Sequence, residues 1–129
     1  MTFKEILPTN CPPDTAATFN GMLLRLVGPG PVTVDDFKSR TAQGLKPLPG
    51  KECSCASCSL IMPSVTKDKL LGMTKFPKLK NKNAVAVVTV DSQAGVGEAG
   101  GTHVDFWLYK SFDPMSNIAK VEKIACYGN

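Results

Sequence analysis

The sequence lacks any apolar run long enough to cross a bilayer, and its first residues lack the long apolar core of a signal peptide. These two absences predict a cytoplasmic protein that does not enter the membrane. Dense basic runs are also missing: 15 Lys and Arg stand against 11 Asp and Glu, and the lysines are spread over several segments. Because proteins that bind the phosphate backbone usually carry a denser basic face, this charge pattern disfavours nucleic acid as a partner.

Five cysteines are present, and an odd number cannot form a complete set of disulfide bonds. Together with a cytoplasmic location, this number predicts thiols or metal ligands. Cys53, Cys55 and Cys58 have the spacing Cys-x-Cys-x2-Cys, which can hold zinc. The fourth ligand would come from outside this cluster: Cys11, Cys126 or His103. Structural zinc sites usually contain two Cys-x2-Cys pairs and this chain has one, so we predict no metal centre and keep zinc as an alternative.

Histidine and tryptophan occur once each, and both lie in the segment 102–110. Successive side chains of a strand point to opposite faces. One face would be apolar: Val104, Phe106 and Leu108. The other face would carry His103, Asp105, Trp107 and Tyr109. Since aromatics of this kind are enriched at protein interfaces, we predict that this outward face binds a small partner protein or a small molecule.

A chain of 129 residues has the length of one domain. Helices are predicted from Thr33 to Gln43 and from Thr66 onward, and the segments 1–13 and 91–101 are predicted to be an irregular arm and a mobile connection. Strands are predicted at 21–27, 59–62, 84–90 and 102–110, with a turn and then a strand between 118 and 127. This order predicts a single α+β domain, residues 1–129, with a curved, mainly antiparallel sheet of five to six strands and two helices.

Arg25 interrupts the otherwise apolar strand 21–27. A guanidinium keeps its charge, so in a buried position it needs an acidic partner or a ligand. Two interpretations follow. Arg25 either reaches the strand end or an acidic side chain, or it clamps an anion such as a phosphate.

The order of features between about residues 21 and 118 resembles a group of small bacterial proteins of unknown function. The matching features are Asp36-Phe37-Lys38-Ser39, Gly44, Cys53, Ser59-Leu60-Ile61, Pro77 and the histidine followed closely by aromatics. This resemblance brings no activity with it.

The same order is also similar to the compact fold of ADP-ribosyltransferases. That resemblance implies that Arg25 clamps the pyrophosphate of NAD and that Ser59 lies on the strand that leads into a helix. His103 or Glu98 would face the nicotinamide, and the aromatic residues of the outward face would stack on a ring. The resemblance thus predicts an enzyme that acts on NAD.

A third possibility is a Cys-His hydrolase. Cys58, His103 and either Asp105 or Asp113 follow the chain order of papain-like hydrolases, and the segment 101–107 resembles the histidine strand of peptidoglycan amidases of the NlpC/P60 type. The resemblance implies a Cys58 nucleophile and a His103 base. Pro63 departs from the family's pattern, in which a long helix begins at the nucleophile. The sequence therefore favours a binding domain, and it leaves open whether the protein is an enzyme.

Overall fold

Six antiparallel strands form one sheet in the computed structural model, which describes residues 2–128. The strands are β1 (Gly21–Val27), β2 (Cys58–Ile61), β3 (Ala84–Val90), β4 (Gly95–Gly100), β5 (His103–Leu108) and β6 (Ile118–Lys123). Their order in the sheet is β4-β5-β2-β1-β3-β6. The predicted α+β class and antiparallel sheet are confirmed. The segment 118–127 contains a strand as predicted, but the strand comes before the turn and not after it.

The described residues contain two α-helices, α1 (Glu52–Cys55) and α2 (Lys67–Met73). The predicted start of α2 is confirmed, because the Thr66 hydroxyl accepts a hydrogen bond from the Lys69 backbone N–H at 3.2 Å. By contrast, α1 lies in a stretch for which no helix was predicted. Neither helix is long and apolar enough to span a membrane.

The helix predicted from Thr33 to Gln43 is wrong. Only Val34–Phe37 forms a helical turn, of the 3-10 type, and Lys38 is already extended. The reason is a competing donor: the Arg25 side chain takes the carbonyls of Asp36 and Lys38, which a longer helix would use for its own backbone bonds.

The predicted mobile connection at 91–101 is also corrected, since most of it is strand β4. This strand pairs with β5 along its whole length, from Gly95 opposite Leu108 to Gly100 opposite His103. A glycine is required at Gly97, because a Cβ there would lie 2.8 Å from the Phe106 ring and 2.9 Å from the Phe19 ring.

The sheet buries apolar side chains on both faces. The first face carries a cluster that includes Leu23, Cys58, Leu60, Val104 and Phe106. The second face carries a cluster that includes Leu24, Ile61, Val85, Val87 and, from α2, Leu70. His103 pairs with Ile61 and therefore belongs to the second face.

The N-terminal arm is fixed against the C-terminal end of β5. Its backbone bonds β5 and the residues after it, through Lys4 N–H to the Leu108 carbonyl and Lys110 N–H to the Thr2 carbonyl. A disulfide joins Cys11 of the arm to Cys53 of α1. This disulfide corrects the prediction of thiols or metal ligands for Cys11 and Cys53, which are 42 positions apart in the sequence, whereas Cys55, Cys58 and Cys126 are free thiols.

Candidate functional site

A cleft of about 590 Å³ opens where β1 and β2 separate. The two strands share one paired position, Leu24 opposite Ile61. One wall is the segment 38–45, another is the segment 73–82 that follows α2, and β5 contributes His103. Six basic side chains line the cleft: Arg25, Lys38, Arg40, Lys78, Lys82 and His103.

The remaining lining is apolar or neutral. Ser59 and Gln43 supply hydroxyl and amide groups, while Ile61, Met73 and Phe76 are among the apolar members. Within residues 2–128, no Asp or Glu lines the cleft. A surface of one charge sign over low-dielectric walls concentrates the field and attracts counter-ions.

Arg25 is held by three backbone carbonyls. Its Nε donates to the Asp36 carbonyl at 2.6 Å, Nη1 donates to the Ser59 carbonyl at 2.8 Å, and Nη2 donates to the Lys38 carbonyl at 3.2 Å. Neither sequence interpretation anticipated carbonyl partners. Arg25 thus joins β1, β2 and the 38–45 wall, and it adds positive charge to the base of the cleft.

His103 is held by Asp105, which lies two residues along the same face of β5. The His103 Nε2 and Asp105 Oδ1 atoms are 2.8 Å apart, and Ser54 of α1 donates to the other carboxylate oxygen at 2.9 Å. Burial acts to raise the pKa of Asp105, but hydrogen bonds from His103 and Ser54 outweigh it and hold that pKa below its usual value. The His103 side chain is 49% exposed, so its ring is accessible from the cleft.

The structure separates the two members of the hydrolase hypothesis. Cys58 pairs with Phe106 on the first face, whereas His103 lies on the second. The Cys58 thiol is buried, and this burial raises its pKa, with the Arg25 charge acting in the opposite direction. Cys58 therefore stays a thiol at neutral pH, and no Cys58–His103 pair exists to activate it.

The residues predicted to form the outward face of β5 have different surroundings in the structure. His103 reaches the cleft, but Trp107 is only 2% exposed, and its indole N–H donates to the Cys53 carbonyl at 3.1 Å beneath α1. Tyr109 packs against Phe3 of the arm, with ring centroids 5.2 Å apart. Trp107 is therefore a buried core residue, which corrects its assignment to a partner-binding surface.

The three clustered cysteines are not arranged as the zinc alternative requires. The Cys53 sulfur is bonded to Cys11, and Cys55 and Cys58 are buried free thiols. Between Thr2 and Gly128, no group of three or more His, Cys, Asp or Glu side chains is placed to hold a metal ion. Zinc bound to Cys53, Cys55 and Cys58 would require the disulfide to break first.

Of the predicted site residues, the fold brings Arg25, Ser59 and His103 into one cleft. Sequence reasoning missed the cations of the two walls, such as Arg40, Lys78 and Lys82. The lysine-rich turn at 78–82 is visible in the sequence, but nothing local shows that it faces Arg40. Comparison of the chain with protein-family models, curated proteins and solved structures gives no match. The resemblance to a bacterial group thus stays a prediction.

Proposed function

We propose that the protein binds a small anionic organic molecule in the cleft between the 38–45 and 73–82 segments. The carrying observation is the collection of cations in one cavity that has no carboxylate in its described lining. Five of the 15 Lys and Arg residues meet there, although the whole chain has a net charge of only +4. The volume of about 590 Å³ suits a molecule the size of a nucleotide.

The cations are not equally available. Lys38 forms an ion pair with Asp35 at 3.0 Å, and Arg25 is occupied by carbonyls. Arg40, Lys78 and Lys82 have no acidic side chain within 4.0 Å in the described part of the chain. These three side chains are the strongest candidates for direct contact with an anionic group.

The apolar lining indicates that the ligand is more than an inorganic ion. Phe76 is 65% exposed beside Leu79 and Met73, although large apolar side chains are usually covered. A ring or acyl group packed against Phe76 would remove this surface from water. A phosphorylated molecule that carries a ring meets both requirements.

Isothermal titration with adenosine monophosphate, NAD, inorganic phosphate and uncharged adenosine tests the proposal. We expect the nucleotides to bind more tightly than phosphate or adenosine, with an affinity that falls as salt is raised. Lys78→Gln with Lys82→Gln should weaken nucleotide binding by about fivefold or more, taking roughly 0.5 kcal/mol for each partly screened charge. Lys120→Gln with Lys123→Gln is the matched control, because both are exposed lysines of β6 outside the cleft. Equal losses in both variants would count against the cleft.

The convergence of Arg25, Ser59 and His103 favours one second candidate, an enzyme that acts on NAD. In this candidate, the His103 ring, held by Asp105, accepts a proton from the group that attacks the ribose, and the bond to nicotinamide breaks. Release of free nicotinamide, measured by chromatography, supports this candidate if His103→Ala abolishes it. Tight NAD binding without release of nicotinamide would support only the binding function and contradict the enzyme.

A further inference from the structure

The four-residue helix α1 connects the cleft to the disulfide. Its Ser54 side chain bonds Asp105, which holds His103. The Cys55 carbonyl accepts bonds from the backbone N–H and the hydroxyl of Thr41, at 3.0 and 3.2 Å. Thr41 follows Arg40 in the 38–45 wall, so α1 contacts two sides of the cleft at once.

The position of α1 depends on its tertiary contacts. A single helical turn is not stable by itself, because one turn fixes several residues for very few backbone bonds. Two contacts at Cys53 tie α1 to the rest of the protein: the disulfide to Cys11, and the Trp107 indole bond to the Cys53 carbonyl. Both disulfide cysteines are half-buried, and neither residue is fully enclosed by the fold.

We propose that the oxidation state of the Cys11–Cys53 disulfide controls the affinity of the cleft for its anionic ligand; this rests on the binding function proposed above. A dithiol donates two electrons, the S–S bond breaks, each sulfur takes one proton, and the dithiol becomes a disulfide. The arm then loses its covalent tie to α1. Ser54 and Cys55 hold Asp105 and Thr41 less firmly, and the ligand-binding arrangement is populated less.

The predicted cytoplasmic location is consistent with this role, because disulfides of cytosolic proteins are usually transient and redox-sensing. The reduced protein keeps its sheet, since no strand contributes a residue to the disulfide. The only covalent change is the loss of the bond between Cys11 of the arm and Cys53 of α1. We expect affinity to fall by about fivefold or more on reduction, the range typical of coupling between two sites.

The single histidine and single tryptophan make the test direct. The His103 ring signals and the Trp107 indole signal are followed by NMR in oxidised protein and after dithiothreitol, and adenosine monophosphate is titrated into both. Wild type should show shifts of both reporters and weaker binding after reduction. Cys11→Ser should have the NMR signals and affinity of the reduced protein, and dithiothreitol should not change them. Cys126→Ser, which removes an exposed free thiol, should behave like wild type.

The outcomes separate the two proposals. Binding that is equal in both states, with mass spectrometry confirming two new thiols, overturns the coupling and leaves the binding function intact. Absence of nucleotide binding in both the oxidised and the reduced protein overturns both proposals. Loss of the circular dichroism of the sheet on reduction also overturns the coupling, because affinity would then fall through unfolding. If Cys11→Ser does not fold, the comparison of oxidised with reduced wild type still decides.

Discussion

Replacing Arg25 by methionine tests whether this residue supports the fold or clamps the ligand. Methionine keeps an unbranched stem of similar reach, but it removes the charge and all three hydrogen bonds to the carbonyls of Asp36, Ser59 and Lys38. The bond to Asp36 is partly buried, whereas the other two are exposed and water can replace them. A hydrogen bond from a charged donor contributes about 1.5–3 kcal/mol when it is protected and less when exposed.

We therefore assign about 2 kcal/mol to the bond with Asp36 and roughly 0.5 kcal/mol to each of the others, or about 3 kcal/mol in all. With a urea dependence of about 2 kcal/mol per molar, the unfolding midpoint of Arg25→Met should fall by about 1.5 M. The unfolding midpoint of Arg25→Lys should lie between those of wild type and Arg25→Met, because one ammonium group cannot reproduce the planar arrangement of three donors.

The assay pairs urea denaturation with nucleotide titration of the same variant. Since Arg40, Lys78 and Lys82 remain in Arg25→Met, its binding should weaken by less than tenfold at a urea concentration where the protein stays folded. An unchanged midpoint with binding abolished would refute this reasoning, because Arg25 would then be a ligand clamp and its carbonyl contacts would contribute little to stability.

Three further outcomes follow from the structure. Gly97→Ala should lower the free energy of unfolding by roughly 1–3 kcal/mol through overpacking against the Phe106 ring, whereas at Gly28 a Cβ meets its nearest atom at 3.5 Å and costs less; thermal unfolding compares the two. Alkylation of native protein at pH 7.5 should modify the exposed Cys126 far faster than Cys58, whose pKa is raised by burial, and equal rates in peptide mapping would contradict the burial of Cys58. Hydrogen bonds lower the pKa of Asp105 below its unfolded value, so its stabilising contribution is complete above that unfolded value and is lost as pH falls through the folded one. Urea curves from pH 6 to pH 2 should therefore show wild type losing its advantage over Asp105→Asn, and a constant difference would oppose this.

The elements that the sequence predicted well carry strong local signals. The strands β1, β3 and β5 are apolar runs or alternations, and α2 has its Thr66 cap. Local signals failed where a distant residue competes for the same backbone groups. Thr33 begins a helical turn as expected, but Arg25 binds the next carbonyls and ends it. Glycine-rich β4 has low strand propensity, yet it pairs with β5 along its whole length. The rings of Phe19 and Phe106 explain the glycine at position 97, because they leave no room for a Cβ there.

The candidate site could be predicted only in part. Its local features were predictable from the sequence, whereas features that depend on distant residues were not. Alternation along β5 correctly placed Trp107 on the face opposite Phe106, yet alternation cannot show what lies over that face. The covering element is α1, whose Cys53 is bonded to Cys11, 42 residues away in the sequence. His103 escapes this cover because it stands at the beginning of β5, and Asp105 marks the boundary between the covered part and the cleft.

The net charge of the sequence could not predict the basic cleft. A net charge of +4 sums over the whole surface, and it is the same whether the cations are dispersed or gathered. Arg40 and Lys82 are separated by more than forty residues, and only the separation of β1 from β2 creates a cavity that both can line. The Asp105 carboxylate lies beside His103 at the edge of the cleft, where Ser54 and His103 bind it. The proposed anionic ligand would therefore meet walls whose described lining contains cations and no carboxylate.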